Sequence, residues 1–206
     1  KLVDKKCCGR PLISKGLLES AKKNAKYNIN SIYEYVKDGA IVVGVEPSCI
    51  SALKDEYPDM FPEDKRTNLI AESTYLLQEL IVKESKDKKF NFKKSDENKS
   101  YAVQVHCHEK TIIGENISIE SLKLIPKSQV KKIPSGCCGM AGAFGYEKEH
   151  YDISKKIAED RLLPYIEKLD NQTQVAITGV SCRHQIEDLS EKTPKHILEI
   201  FAENIV

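Results

Sequence analysis

Two adjacent cysteine pairs, Cys7-Cys8 and Cys137-Cys138, each head the same succession of signals, and this repetition constrains the chain more than any single residue does. After Cys7-Cys8-Gly9 come an amphipathic stripe, a β-branched run and Glu46-Pro47-Ser48-Cys49. After Cys137-Cys138-Gly139 come a second stripe, a second run and Gly179-Val180-Ser181-Cys182. The interval from the second cysteine of the pair to the closing cysteine is 41 residues in the first case and 44 in the second. Two copies of one α/β unit account for this better than coincidence does. The expected fold is therefore α/β, two similar repeats with mainly parallel sheets. The first repeat is assigned to residues 1–92, truncated at its N-terminal side, and the second to residues 93–206.

The periodicities place the elements. Leu17, Leu18, Ala21, Ala25, Ile29, Ile32, Tyr33 and Val36 recur at helical spacing, with Asp38-Gly39 as the stop. Ala40–Val45 is a short continuous apolar run, the pattern of a buried parallel strand. In the second copy Tyr151, Ile153, Ile157, Ala158, Leu162, Tyr165, Ile166 and Leu169 form the stripe, Pro164 predicts a kink or break, and Gln174–Gly179 is the strand. Between the copies the pattern predicts a helix near Thr67–Glu84, a solvated stretch Lys86–Lys99 and a strand Tyr101–Val105. A short helix near Ile119–Leu124, a strand Gln129–Ile133 and a final helix His196–Ile205 complete the order. Ligands in such sheets gather at the carboxyl ends of the strands, where Cys49, Cys107, Cys137, Cys138 and Cys182 fall.

Seven cysteines, an odd number containing two vicinal pairs, fit a secreted disulfide scaffold poorly, because a bridge between neighbours strains the intervening peptide. Reduced thiols that bind metal or carry redox chemistry fit better. Cys107, Cys137, Cys138 and Cys182 could supply four thiolates to one centre, the number that zinc or an iron–sulfur cluster requires. A formal net charge of +1 leaves no nucleic-acid footprint, and no apolar run is long enough to span a bilayer. With no secretory leader in view, the expectation is a cytoplasmic protein, at most peripheral to a membrane. The opening Lys1, with a cysteine pair soon after it, suggests a segment cut from a longer polypeptide.

The blocks CCGRPLISKGLLESAK, EPSCISALKDEYPD, VHCHEK, SGCCGMAGAFGYEKEHY and GVSCRHQI resemble the cysteine-rich CCG domains found in the B subunit of heterodisulfide reductase and in the iron–sulfur subunits of glycolate and glycerol-3-phosphate dehydrogenases. The wording is most similar to the C-terminal iron–sulfur region of FAD-linked D-lactate/glycolate oxidases. The resemblance implies an electron-transfer module that takes electrons from FAD on a partner domain or subunit and passes them to a quinone, disulfide or other acceptor. It implies ligation of an iron–sulfur cluster, of 4Fe-4S type, by Cys107, Cys137, Cys138 and Cys182. Two departures from the family pattern stand out. Gly179 and Glu46 occupy positions where the family carries a further cysteine, and the first set, Cys7, Cys8 and Cys49, has three thiols.

Other readings remain open beside this one. A zinc-stabilised structural or interaction module would use the same four thiolates. Direct thiol–disulfide catalysis at a vicinal pair is a third option, and Cys7, Cys8 and Cys49 could equally be packed as small apolar residues. On strand alternation His106 and His108 point away from Cys107. His184 is expected to make a contact near the site, while His150 and His196 read as surface residues. Glu46 and Glu109 read as solvated or salt-bridged groups at strand ends. The glycines of Gly139–Gly145 suit close backbone approach better than a phosphate loop, since they lack its spacing. The segment carries no recognisable substrate base and no flavin-binding signature.

Overall fold

The computed structural model describes residues 1–85, 91–94 and 97–206, and the chain divides into two compact units, Lys1–Leu77 and Gln78–Val206. In the first unit, α1 (Arg10–Ser14) begins directly after the cysteine pair, with Pro11 in its first turn. The long helix α2 (Leu18–Lys37) buries Ala21, Ala25, Ile29, Ile32 and Val36 on one face. Leu17 and Leu18, expected on that stripe, are exposed instead, because they precede the first turn that meets the core. Strand β1 is short (Val42–Gly44); Ile41, Val43 and Val45 are exposed, so the apolar run Ala40–Val45 is only partly a buried strand. The chain continues as α3 (Pro47–Ser51), a π-helical segment Ala52–Glu56 and α4 (Tyr57–Met60).

Helix α5 (Lys65–Glu72) starts where the Asp64 carboxylate accepts a hydrogen bond from the Arg66 N–H at 3.1 Å. It is followed not by more helix but by β2 (Thr74–Leu76), which pairs in parallel with β1, Val42 opposite Thr74. The single helix expected near Thr67–Glu84 is thus two helices with a strand between them. The helical period masked a β-favouring Thr-Tyr-Leu triplet that pairing with β1 stabilises. The core of this unit is built from Ala25, Ile29, Ile32, Ala52, Tyr57 and Ile70.

Helix α6 (Leu77–Ser85) begins at the junction. In the second unit β3 (Lys99–Gln104) leads into α7 (Cys107–Ile112) and α8 (Asn116–Lys123), followed by β4 (Ser128–Lys132). A 3-10 turn, Phe144–Tyr146, precedes α9 (Tyr151–Glu167); then come β5 (Thr173–Ile177), α10 (Val180–Leu189), β6 (Lys195–His196) and α11 (Ile197–Asn204). The sheet order is β4-β3-β5-β6 and every pairing is parallel. The α/β expectation holds, with two parallel sheets among many helices. Of the expected solvated stretch Lys86–Lys99, residues 86–90 and 95–96 lie outside the described residues.

Helix α9 buries Ser154, Ala158, Leu162, Leu163 and Ile166, whereas Tyr151, Ile153 and Ile157 are exposed. It also runs through Pro164 to Glu167 without a break. A proline one turn from a helix end removes a single intrahelical hydrogen bond, and burial of Leu162, Leu163 and Ile166 around it outweighs that loss. No helix among the described residues is long and apolar enough to cross a membrane.

Candidate functional site

Each chemistry-bearing cysteine of the second unit sits just past the carboxyl end of a strand. Cys107 opens α7 after β3, Cys137 and Cys138 follow β4, and Cys182 lies in the first turn of α10 after β5. Strands β4, β3 and β5 are neighbours in one parallel sheet, so these ends are brought together at one edge. Cys138 and Cys182 are buried, Cys107 and Cys137 half-buried, and all four are free thiols. Each sulfur lies close enough to the next to shift its proton affinity: Cys107 and Cys137, Cys137 and Cys138, and Cys138 and Cys182.

Cys137 is the sulfur that this environment favours as thiolate. Cys137 is held far below the ordinary thiol range by hydrogen bonds from Cys107 and then Cys138, helped by the Gly139 N–H at 3.3 Å and the His106 charge. Cys107 and Cys138 are pushed up, each first by its hydrogen bond to Cys137 and then by its surroundings, including burial. A metal or cluster entering here would replace these S–H···S contacts with bonds to metal, releasing protons. The donor set fits such a group in kind and number, four thiols. Among the described residues, however, no set of three or more His, Cys, Asp or Glu side chains is arranged as a ready-made metal-ion site.

The loops carrying these thiols are tied to the sheet. The Ser135 hydroxyl donates to Gln104 Oε1 at 2.6 Å, and Lys110 Nζ donates to the Ser135 carbonyl at 2.6 Å. Both contacts fix the segment entering Cys137. Gly139 has a φ of 97°, and a Cβ there would lie 2.2 Å from the Ser154 carbonyl oxygen. Gly139→Ala is expected to lower stability by about 1–3 kcal/mol, through positive-φ strain and overpacking together. Urea unfolding of the metal-free chain measures this; an unchanged midpoint would show that the turn can relax.

His106 and His108 depart from their expected placement because helix α7 starts at Cys107, so strand alternation does not extend to them. His106 is buried, its Nδ1 accepts the His108 N–H at 3.2 Å, and it lies 3.9 Å from Cys107 Sγ. A Cβ at Gly179 would come within 2.4 Å of the His106 ring, so glycine at 179 makes room for the imidazole. His184 packs edge-on to Tyr146 at 6.3 Å. His150 is not a free surface residue but stacks on Phe144 at 4.1 Å and bonds Glu147, and His196 caps α11. Glu109, expected to be solvated, is fully buried. Its sequence context, two residues after a strand-end cysteine, hid this; the signal that could have revealed it is its place on the inward side of a helix that the strand reading left out.

In the first unit Cys8 Sγ and Cys49 Sγ are 3.2 Å apart and share a hydrogen bond. Cys8 is pushed down to about 6, first by that bond, with the Arg10 N–H and guanidinium adding to it. Cys49 is pushed up by the same bond and by burial, which makes it the proton holder. Cys7 is exposed. Asn28 clamps the N-terminal segment, accepting from the Lys6 N–H at 2.8 Å and donating to the Tyr57 hydroxyl at 2.9 Å, which donates to the Cys8 carbonyl at 3.0 Å. Glu46 is the N-cap of α3, bonding Ser48. A largely apolar cavity of about 500 Å3 opens against these thiols, walled by Ile32, Val36, Ile41, Val43 and Ile50.

This first cysteine set lies within the segment that matches a known family model, the cysteine-rich domain CCG, over residues 1–54. The similarity to curated proteins extends further along the chain than the CCG match. The C subunit of the anaerobic glycerol-3-phosphate dehydrogenase of Escherichia coli is 29% identical over 98% of this chain and 50% of its own length. The D-2-hydroxyglutarate dehydrogenase of Haemophilus influenzae is 27% identical over 95% of this chain and 19% of its own. Lactate utilization protein A of a Geobacillus species is 25% identical over 85% of this chain and 71% of its own. The chain thus spans about half the length of the first relative and under a fifth of the second.

Proposed function

We propose that this chain is the electron-transfer module of an oxidoreductase, and that Cys107, Cys137, Cys138 and Cys182 hold an iron–sulfur cluster of the 4Fe-4S type. The observation that supports this best is the placement of four thiols just past the carboxyl ends of three neighbouring parallel strands, each near enough to the next to shift its proton affinity. That it occurs on a chain similar to dehydrogenase components over nearly its whole length adds weight. When bound, such a cluster supplies one-electron steps. The chain's own contribution is to hold and tune it: the Gly139 N–H donates to the Cys137 sulfur, and burial of Cys138 and Cys182 keeps water from those ligands.

The whole protein, on this reading, oxidises a 2-hydroxy acid of the lactate/glycolate type at FAD on a partner domain or subunit. Electrons then pass through this module to a quinone, disulfide or other acceptor. The place of action is cytoplasmic, at most peripheral to a membrane. Cys7, Cys8 and Cys49 are the corresponding set of a duplicated first repeat, with residues 1–92 and 93–206 as the two copies. In both, a cysteine pair, a long helix and a strand lead to a closing cysteine in the helix that follows, then to a further parallel strand.

The test is anaerobic reconstitution of the metal-free chain with ferrous iron and sulfide. A visible charge-transfer band with about four irons per site is expected. A colourless protein that retains one zinc per four thiols instead would favour the structural-module alternative.

A further inference from the structure

We propose that Glu109 is a positioning residue that fixes the His106–Cys107 turn against the strand end bearing Cys182. Its carboxylate is fully buried yet has no ion-pair partner among the described residues. It accepts hydrogen bonds from the Ser118 hydroxyl at 2.5 Å, from Gln78 Nε2 at 3.2 Å and from the Thr178 hydroxyl. The Thr178 oxygen in turn accepts the buried His106 N–H at 2.9 Å.

With Glu109 ionised, the direction of this relay follows from proton count. A threonine hydroxyl has one hydrogen, and a carboxylate can only accept, so Thr178 gives its hydrogen to Glu109 and offers its lone pair to His106. Thr178 directly follows β5 and precedes the α10 turn that carries Cys182. His106 caps the helix that Cys107 opens. One side chain therefore joins the ends of two neighbouring strands, beside two of the four thiols. A carboxylate stripped of water with three donors aimed at it is costly to bury for packing alone, where an apolar side chain would do. The burial of charge pushes its proton affinity up, which the three donors oppose.

This inference rests on the cluster reading for its purpose, though not for its geometry, and the test separates the two. In the metal-free protein, Thr178→Val and Glu109→Ala are compared with wild type by timed iodoacetamide labelling, read cysteine by cysteine with mass spectrometry. Labelling of Cys107 is expected to rise at least about tenfold in both variants while that of Cys8 and Cys49 stays within about twofold. Glu109→Gln should be partly rescued, because the buried Gln78 Oε1 has no partner and can turn to accept the new amide. Unchanged Cys107 labelling in Thr178→Val overturns the proposal, and so does a uniform rise over all the thiols, which would report loss of folding. In a second arm, reconstituted Thr178→Val should keep its iron but show shifted g-values in the reduced state; an identical spectrum also overturns it. Wild type that takes up no cluster would sink the functional reading and leave the labelling result standing.

Discussion

On the proposed reading, replacing Cys138 by serine in the full protein, with FAD on a partner domain or subunit, is expected to abolish reduction of the electron acceptor while substrate still bleaches the flavin. Cys138 is a buried thiol of the four, 4% exposed, and it lies beside both Cys137 and Cys182. A serine oxygen in its place is a harder, more weakly donating ligand, so a cluster there loses a bond or changes its potential. On the proposed reading, the hydride and proton chemistry would belong to a flavin domain and would not depend on these residues. Stopped-flow bleaching of the flavin and steady-state acceptor reduction, measured side by side, give the result. A fall of about 100-fold or more in acceptor reduction with unchanged bleaching is the outcome expected from losing a metal-linked residue. Acceptor reduction at the wild-type rate would take this centre off the electron path and leave a structural metal as the better reading.

The largest effect on stability is expected at Leu162. Its side chain is fully buried in the cluster that also holds Cys138, Cys182, Ile177 and Ile186. Truncation to alanine removes that burial and leaves a cavity beneath the thiols, at a cost of about 2–5 kcal/mol. Ile157, five residues earlier on the same helix and 38% exposed, should lose under about 1 kcal/mol on the same change. Urea titration of the metal-free chain compares them directly. Equal losses would mean that α9 is packed on a different face from the one described.

How much of this was readable in the sequence can be judged from particular elements. The strands and their cysteines were, because a β-branched run closed by a cysteine leaves few alternatives, and Tyr101–Val105 and Gln174–Gly179 overlap β3 and β5 closely. The buried face of α2 was legible from Ala21 onward. On α9 the apolar stripe misled, since the small residues Ser154 and Ala158 face the core, Ser154 at the close approach to Gly139, while Ile153 and Ile157 face out. Spacing alone cannot register such size matching. The short helices opened by Pro47, Cys107 and Val180 were missed for another reason. Their start is set by capping and by the end of strand pairing rather than by periodicity. That omission is also what concealed the burial of Glu109. The strand at Thr74–Leu76 was hidden because it is defined by its parallel pairing with β1, a long-range partner that local periodicity does not register.

Strand β1 has a practical consequence for anyone handling the isolated chain. Among the described residues it pairs only with β2, and Ile41, Val43 and Val45 are exposed along it beside an apolar hollow. An open strand edge of this kind is a template for self-association in solution. Lys1, Lys5 and Lys6 line the same hollow, and their like charges repel a second copy that approaches it. Ionic strength sets how far that repulsion reaches, about 10 Å in 0.1 M salt and about 3 Å in 1 M. Dilute, low-salt samples are therefore the ones in which spectra report single molecules, and salting-out steps work against the colloidal stability that these lysines provide.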